Sequence, residues 1–391
     1  MSTLKVDAIR HNSATSDAIT TASDGTCTAK LTSVGGGGLS HRNLVINGAM
    51  MVSQRGTSFS GTAQQYTLDR MQTNTVGNDE VAQTEQAAVT SGGAYTSGFR
   101  KCMKIINGNQ TSGAGAGDIV HLKMVLEAQD IANSGWNYTS SSSFITLSFW
   151  IKSSVAQDFP ITLRSEDGTR QVYNMTTGSL TADTWTKITK TIPGDSNLQF
   201  DDDVNAGLTL FVNAFVGTDY TTGSLAQNAW SAWSGTKQGD NMTSTWYTTN
   251  NATLEITGIQ LEVGDTATSF EHRSYQDELL RCQRYYYAHK GPLWGQTSAG
   301  DHLDLALYFP VPMRDTPSFN QVDTSLTFKN RLNQGNSVSA STYTISGGTN
   351  QYGALWIARP ASGESWDTAD GRIYYYHIPE GTTSYEFTSE L

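Results

Sequence analysis

Charged side chains are scarce in this sequence. Asp, Glu, Lys and Arg make up 16% of its 391 residues, whereas about a quarter is usual in a soluble domain. Their balance is acidic, with a formal net charge of −11. Binding to nucleic-acid phosphates needs clustered Lys and Arg, and the sequence has no such cluster. We therefore predict that nucleic acid is not a partner.

Cysteines and long apolar runs are also scarce. The three cysteines, Cys27, Cys102 and Cys282, are odd in number and far apart, so they predict neither a disulfide framework nor a CxxC metal site. No stretch approaches the roughly 20 apolar residues of a membrane-spanning helix. Charges at Lys5 and Arg10 exclude an N-terminal signal peptide. We expect a soluble protein without membrane insertion, assembled in a reducing cytoplasm.

Sequence motifs of catalysis are missing. The seven histidines form no HExxH pattern, there is no GxSxG, and Gly35–Gly38 leads into no helix that could cradle a phosphate. Glu166 and Asp167 are neighbours, and neighbouring side chains of a strand point to opposite faces, whereas a glycosidase needs two facing carboxyl groups about 5–9.5 Å apart. Asp167-Gly168 instead indicates a hairpin turn. We predict that the protein is not an enzyme.

The sequence is rich in short alternating apolar segments separated by Gly, Asn, Ser and Thr, which is typical of strands joined by turns. Eight such segments predict a jelly-roll β-sandwich, and six later ones predict a second, smaller sandwich, so the fold class is all-β. The predicted strands are Asn43–Ile46, Lys101–Ile106, Ile119–Glu127, Phe144–Ile151, Phe159–Arg164, Trp185–Ile192, Gly207–Val216, Thr253–Val263, Tyr285–Ala288, Asp304–Phe309, Ser318–Asp323, Tyr343–Ile345, Ala354–Ala358 and Tyr374–Ile378.

Five segments follow from this pattern. Residues 1–34 predict an extended N-terminal segment that is too short to bury a core, and we expect it to dock on another chain. The glycines of residues 35–42 predict a flexible linker. Residues 43–273 form the predicted jelly roll. Ser274, followed by acids in the first turn, predicts a short connecting helix over 274–284, and residues 285–391 form the second sandwich.

Several ordered segments resemble bacteriophage tail-fibre proteins that contain a jelly roll similar to carbohydrate-binding modules. The first group is Asn43-Leu-Val-Ile-Asn-Gly-Ala-Met, Val52-Ser-Gln-Arg-Gly-Thr-Ser-Phe and Tyr66-Thr-Leu-Asp-Arg, where Met71 replaces the aromatic residue usual in that family. The second group is Thr257-Gly-Ile-Gln-Leu-Glu-Val-Gly, Thr268-Ser-Phe-Glu-His-Arg-Ser-Tyr and Glu278-Leu-Leu-Arg-Cys-Gln-Arg-Tyr-Tyr. Later, Phe309-Pro-Val-Pro-Met-Arg-Asp-Thr-Pro and Tyr385-Glu-Phe-Thr-Ser-Glu-Leu resemble the C-terminal sandwich of those fibres.

This resemblance implies a virion protein, commonly a homotrimer, that is attached to the particle by its N-terminus and presents its distal domains to the host surface. Docking on other virion proteins would then involve Leu4, Val6 and Ile9. Modules of the resembled type often hold a structural calcium near the first and last strands, which would make Asn47 and Glu262 ligands. The residues themselves indicate no other cofactor, and no metal site is assigned.

Aromatic residues in polar surroundings are the candidates for glycan contact, because a flat ring covers the C–H face of a sugar. Trp230, Trp233, Trp246 and Tyr247 lie in a long polar insertion, where they contact either a ligand or a neighbouring protomer. Trp136 and Tyr138 are weaker candidates of the same kind. The run Asp201-Asp-Asp could bind calcium, but its spacing favours a solvated turn.

Three functions fit these observations. The first is a tail fibre that recognises a host glycan. The second is a fibre or cement protein that decorates the capsid or neck without a receptor role. The third is a polysaccharide depolymerase, which would release sugar from host capsule.

Overall fold

The computed structural model describes residues 6–10, 12–13, 15, 17–23, 27–29, 41–60, 64–221, 226–236, 238–239, 242–298, 302–322, 326–330, 337–345, 349–366, 373–376 and 385–391. Strands far outnumber helices among these residues, which confirms the all-β fold class. No helix in the described ranges is long and apolar enough to cross a membrane.

The N-terminal segment forms a small antiparallel sheet of its own. Its strands, within the described ranges, are β1 (Ala8–Ile9), β2 (Ile19–Thr21) and β3 (Cys27–Ala29). The strands of this segment therefore pair with one another. The sequence had predicted an extended segment that would pair with another chain. Val6 and Ile9 remain 41% and 51% exposed. Leu4 and the glycine run 35–38 lie outside the described residues.

The end of the predicted linker is bonded to the sandwich. The backbone N–H of His41 donates to the Glu271 carboxylate. The Arg42 guanidinium donates to the Thr268 hydroxyl at 2.5 Å and to the Ser269 carbonyl at 2.9 Å. The flexible-linker prediction is thus wrong for residues 41–42, because their donors find acceptors in the segment that follows the last sandwich strand.

Two antiparallel sheets lie face to face in the body of the protein. Their strands are β4 (Ser58–Ser60), β5 (Gln64–Tyr66), β6 (Gln72–Val76), β7 (Gln83–Ala88), β8 (Lys101–Ile106), β9 (Ile119–Glu127), β10 (Phe144–Ser153), β11 (Pro160–Ser165), β12 (Gln171–Thr176), β13 (Thr186–Pro193), β14 (Ala206–Val216), β15 (Trp230–Ala232) and β16 (Thr253–Val263). Within the described residues, the six-stranded sheet has the order β13-β10-β16-β8-β7-β4 and the seven-stranded sheet the order β15-β12-β11-β14-β9-β6-β5. Strands distant in sequence are neighbours, as in jelly-roll sandwiches.

The main core fills the space between these sheets. Alternate residues of each strand point inward, so Leu122 and Met124 of β9 meet Leu147 and Phe149 of β10 in one buried cluster. The strands β8, β9 and β16 have the predicted bounds, and β10, β11, β13 and β14 differ from the prediction by one or two residues at their ends. Apolar alternation therefore locates the strands of the core.

The predicted strand Asn43–Ile46 is wrong. This segment lies beside β16, and the Leu44 N–H donates to the Leu261 carbonyl at 2.9 Å. The Asn43 side-chain oxygen accepts from the Leu261 and Val45 N–H groups at 3.1 and 3.0 Å. A side chain thus takes the place of a ladder carbonyl, so no regular strand forms.

A smaller cluster covers the outer side of the six-stranded sheet. Four short helical turns accompany the sandwich in the described residues: α1 (Gly92–Thr96), α2 (Ala128–Ala132), a 3-10 turn (Thr218–Tyr220) and α3 (Thr245–Thr248). Helix α1 packs on Trp150 and Trp185. A Cβ at Gly93 would lie 2.4 Å from the Trp150 ring, so the close approach requires glycine there. Trp150 is thus half-buried outside the inter-sheet core.

The connecting helix forms as predicted. Helix α4 (Tyr275–Gln283) begins after Ser274, whose hydroxyl accepts from the Asp277 N–H at 3.1 Å. Asp277 and Glu278 lie in its first turn and Arg281 in its last, which complements the helix dipole. Local capping chemistry therefore sets where this helix begins.

The C-terminal unit is built on a barrel and a small sheet, so the prediction of a second sandwich is corrected here. Its strands are β17 (Tyr286–His289), β18 (Leu293–Ser298), β19 (His302–Tyr308), β20 (Ser318–Gln321), β21 (Thr327–Asn330), β22 (Ser337–Ile345), β23 (Gly353–Pro360), β24 (Ile373–Tyr376) and β25 (Tyr385–Thr388). In the described ranges, β18-β19-β23-β22-β21-β24 close into a barrel and β17-β25-β20 form a three-stranded sheet. Closure pairs β18 with β24 and so leaves no open edge there.

The segments that resemble tail fibres meet at the joint between the sandwich and helix α4. The Arg273 guanidinium donates to the Asn43 carbonyl and, at 3.2 Å, to the Val45 carbonyl, and it lies 3.5 Å from the Glu278 carboxylate. Glu278 in turn accepts the Asn47 N–H. These motif residues hold the first and last parts of the module together, so their role here is structural.

Candidate functional site

The outer face of the seven-stranded sheet carries a band of polar and aromatic side chains. One row of this face crosses four neighbouring strands. Its residues are directly paired from strand to strand: Lys123 of β9, Phe211 of β14, Thr162 of β11 and Asn174 of β12. The alternate residues of the same strands belong to the main core, so this row points away from it. We call this surface the outer face; its other members are His121, Arg164, Thr209, Asn213, Ser231 and Trp233.

Aromatic rings and guanidinium groups form the centre of the outer face. Arg164 lies 5.1 Å from the Phe211 ring and 5.2 Å from the Trp233 ring, and Arg170 lies 5.5 Å from the Trp233 ring on the same cluster. The Glu166 carboxylate pairs with Arg164 at 2.8 Å and with Arg170 at 3.1 Å. These contacts hold two guanidinium groups beside the Trp233 ring.

Several buried polar atoms of the outer face have no hydrogen-bond partner among the residues that the structure describes. They are the ring nitrogen Nε2 of His121, the amide nitrogens of Asn174 and Asn213, the Ser231 hydroxyl and the Trp233 indole nitrogen. Such atoms are uncommon in folded proteins, and each costs about 1–3 kcal/mol when it is left unpaired. These atoms have almost no accessible surface, and residues 238–239 cover part of them, since the Thr162 hydroxyl donates to the Gln238 carbonyl at 2.9 Å.

The electrostatics of the outer face are set by burial and by neighbouring cations. Burial, together with the neighbouring Lys123 and Arg164 cations, lowers the pKa of His121 to about 3, so this imidazole is neutral at pH 7. Burial also lowers the pKa of Lys123, with Arg164 acting in the same direction and Glu166 opposing. His121 packs edge-on against Phe211 at 5.1 Å. The face therefore combines neutral hydrogen-bonding groups with cations.

Two of the predicted glycan contacts are wrong, because their rings are buried. Trp246 and Tyr247 lie on α3 with no exposed surface. The Tyr247 ring stacks on Phe215 at 4.2 Å, and its hydroxyl donates to Asp118 at 2.9 Å, which together with burial raises its pKa. The polar insertion that contains them turns inward and adds both rings to the main core.

The prediction that Trp136 contacts glycan is also wrong, because its side chain is 3% exposed and packs beside Tyr138 and Phe200. Tyr138 is half-buried at the edge of that cluster. Trp230 covers the core at the sheet edge, where it packs on Tyr173 and donates to the Pro193 carbonyl at 2.7 Å. Of the rings predicted to contact glycan, the structure places Trp233 on the outer face.

The remaining residues of the outer face were missed by sequence reasoning. Their signal is present as alternate polar positions, His121 and Lys123 on β9 and Thr209 and Asn213 on β14. One outward aromatic residue, Phe211, interrupts the polar series. The pattern alone does not reveal that these strands are neighbours, and only the pairing brings the residues together.

No described residues assemble into a group of three or more His, Cys, Asp or Glu side chains that could hold a metal. The Asn47 side chain binds the Val52 and Asp69 carbonyls at 2.8 and 2.9 Å, and Glu262 accepts from the Thr268 backbone and hydroxyl. Asp202 accepts from Asn133 in an exposed turn. Asn47 and Glu262, the calcium ligands that the resemblance implies, are thus hydrogen-bonded to other protein groups. Calcium binding stays a prediction.

The adjacent carboxyl groups Glu166 and Asp167 have separate partners. Glu166 is held by two arginines and by the Thr209 hydroxyl at 2.5 Å. Asp167 accepts the Asp201 N–H at 3.1 Å, in the hairpin between β11 and β12. The hairpin predicted at Asp167-Gly168 is confirmed. The hydrogen bonds and ion pairs of the Glu166 and Asp167 carboxylates are structural contacts.

No family model matches the sequence, and no curated protein matches it. Several solved structures do. One is the family 22 carbohydrate-binding and catalytic modules of Clostridium thermocellum endo-1,4-beta-D-xylanase 10B (12% identity, 56% of this chain, 29% of that chain, TM-score 0.25). Another is the bacteriophage CBA120 tailspike protein 4 enzymatically active domain (10%, 57%, 21%, TM-score 0.26). A third is the tandem family 22 modules of Paenibacillus barcinonensis Xyn10C (11%, 91%, 100%, TM-score 0.28).

These three structures are thus titled as CBM22 modules, with a GH10 module in the xylanase, and as an enzymatically active tailspike domain. This chain spans under a third of the length of the xylanase and tailspike chains. At TM-scores below 0.5 these similarities carry no argument about a ligand, so the function is argued from the outer face.

Proposed function

We propose that the protein is a non-catalytic glycan-binding component of a bacteriophage virion, a tail fibre that binds the host surface through the outer face of its sandwich. The observation that carries the glycan proposal is the half-buried Trp233 ring, which lies beside the Arg164 and Arg170 guanidinium groups. A sugar offers a C–H face to such a ring and hydroxyl groups to the guanidinium donors beside it.

The virion part of the proposal draws on the sequence resemblance to tail fibres. The residues that carry it, such as Asn43, Arg273 and Glu278, lie together at one joint. The self-contained sheet of residues 8–29, with Val6 and Ile9 exposed, suits a docking segment for other virion proteins. The proposal includes a homotrimer that assembles in the host cytoplasm and ends at the particle surface.

Binding of the purified full-length protein to immobilised host polysaccharides tests the glycan part. We expect retention on at least one polysaccharide without release of reducing sugar. Sugar release would instead establish a depolymerase. Cryo-electron microscopy of the particle tests the location, and density for this fold on the capsid or neck would overturn the tail-fibre assignment.

A further inference from the structure

A cavity of about 270 Å³ opens on the outer side of the six-stranded sheet. Strand β10 contributes Ser148 and Trp150 to its floor. These two residues alternate with Leu147 and Phe149, which belong to the main core, so they point away from it. The cavity therefore lies on the opposite side of the sandwich from the outer face, which belongs to the seven-stranded sheet.

A bulge shapes the floor of this cavity. The pairing of β10 with β16 shifts register between Ser148 and Trp150, and the extra residue of β16 lies at Gly258. Gly258 has a φ of +65°, and a Cβ there would lie 2.4 Å from the Phe99 ring. Glycine is therefore required at this point, and it leaves that part of the floor without a side chain.

Two segments form the walls of the cavity. One is the turn after helix α1, which contributes Ser97 and Phe99, and the other follows β16 and contributes Phe270 and His272. The centroids of the Phe99, Phe270 and His272 rings lie within 5.1 Å of one another. His272 Nε2 lies 3.2 Å from the Ser97 carbonyl oxygen. The protein's own contacts thus hold the two walls together, so a ligand would have few side chains to order.

Polar groups of the cavity have unused hydrogen-bonding capacity. Ser148 is 4% exposed, and its hydroxyl makes no hydrogen bond with another described residue. A carbonyl oxygen can only accept, so His272 Nε2 is the donor to Ser97, which leaves Nδ1 of the neutral imidazole as an acceptor. Lys187 at the cavity is exposed and forms no ion pair within the described part of the chain.

Ring surface lies beside these polar groups. Trp150 and Phe270 are half-buried and line the same cavity as Ser148. An apolar ligand would take water from the Ser148 hydroxyl without replacing its hydrogen bonds, and a small anion would leave the rings uncovered. None of the described lining residues is acidic, so the lining does not suit a hard metal cation. A sugar ring has a C–H face for the aromatic rings and hydroxyl groups for the polar ones.

We propose that this cavity binds a single pyranose residue at the end of a glycan, with the sugar ring against Trp150 and Phe270 and a sugar hydroxyl on Ser148. Its volume is below the roughly 300–1,000 Å³ of pockets for drug-sized ligands, which limits the ligand to about one sugar ring. The inference goes beyond the proposed function, because it adds a second sugar site that does not depend on polysaccharide binding at Trp233.

Soluble monosaccharides test this inference. The methyl glycosides of glucose, galactose, mannose, rhamnose, N-acetylglucosamine and glucuronic acid are titrated into the full-length protein, and saturation-transfer NMR measures their binding. We expect at least one to bind with a Kd on the order of 1 mM, as befits so small a ligand. If a polysaccharide is retained and no monosaccharide binds, this inference is wrong and the proposed function stands. Absence of binding to monosaccharides and polysaccharides alike contradicts both.

Variants of Ser148 locate the bound sugar. Ser148→Ala removes only the hydroxyl and should weaken monosaccharide binding about fivefold, which corresponds to one hydrogen bond. Its unfolding temperature should stay unchanged, because that hydroxyl has no partner among the described residues. Ser60→Ala makes the same change at an exposed position of β4, on the opposite edge of the same sheet, and should bind as the unmodified protein does.

A larger side chain at the same position tests the cavity by filling it. Ser148→Leu should abolish monosaccharide binding, and circular dichroism checks that the variant is folded. Ser148→Ala keeps the test valid if the leucine variant folds poorly. Unchanged affinity in either folded variant would place the sugar elsewhere and overturn the inference.

Discussion

Arg70 and Glu390 form a buried ion pair between the sandwich and the last residues of the chain. Their side chains are 3% and 5% exposed, and Arg55 approaches the same carboxylate at 3.2 Å. The Arg70 guanidinium also lies over the Tyr285 ring at 3.4 Å. Ion pairs and a cation–π contact therefore join the sandwich to the last residues of the chain.

Removal of this carboxylate should destabilise the joint. Glu390→Gln removes the carboxylate that pairs with the buried Arg70, and we expect a loss of about 3–5 kcal/mol in the free energy of unfolding. Urea denaturation followed by circular dichroism measures it. Glu85→Gln, which breaks an exposed pair with Lys104, is the control and should cost less than about 1 kcal/mol. Equal costs for the two variants would refute the role given to Glu390.

Trp246 should behave as a core residue. Trp246→Ala removes a fully buried ring and should cost about 3–5 kcal/mol of stability. Trp294→Ala, at a position 51% exposed, should change stability by no more than about 0.5 kcal/mol. Urea denaturation of both variants makes the comparison. A small cost at Trp246 would restore it as a ligand candidate.

Trp233 should matter for binding more than for folding. Trp233→Ala removes the ring that lies beside Arg164 and Arg170, and we expect binding to a retained polysaccharide to weaken roughly thirtyfold, or about 2 kcal/mol. Trp294→Ala is the matched control on the barrel. Loss of binding in the control with none in Trp233→Ala would move the glycan site to the C-terminal unit.

The protein should lose stability as pH falls below the ordinary pKa of histidine. The pKa of His121 is about 3 in the folded protein and about 6.5 in the unfolded chain. Below pH 6.5 the unfolded chain therefore binds a proton at His121 that the folded protein does not bind. The slope approaches about 1.4 kcal/mol per pH unit from this group. His289 contributes with the same sign, because burial lowers its pKa too. Denaturation of His121→Gln between pH 5 and 7 should show a shallower slope, and an unchanged slope would contradict a neutral, buried His121.

The N-terminal segment should be dispensable for folding. In the described residues 6–29, the backbone bonds join strands β1, β2 and β3 to one another. Deletion of residues 1–34 should leave a folded oligomer whose unfolding temperature is nearly unchanged, while attachment to the particle is lost. Calorimetry and an assembly assay measure the two effects. Failure of the deleted protein to fold would show that the segment belongs to a core.

Strand prediction succeeded or failed according to what each strand buries. Ile119–Glu127 and Thr253–Val263 were predicted with the observed bounds, because their apolar residues recur through the whole strand. Gln72–Val76 and Gln83–Ala88 were missed, since Gln, Thr and Asn give little apolar signal. These strands exist because β9 and β8 offer them hydrogen-bonding partners, a property of the neighbouring strand.

By itself, the sequence determined the all-β class, the principal strands of the core and the Ser274 cap, since each depends on residues close together in the chain. Only the tertiary structure decided which rings are buried and which polar groups meet. Trp246 and Trp233 lie in one insertion, yet Trp246 enters the core and Trp233 joins Arg164 on the outer face. The physical reason is that burial and charge pairing depend on strands brought together across long stretches of chain, which local pattern does not encode.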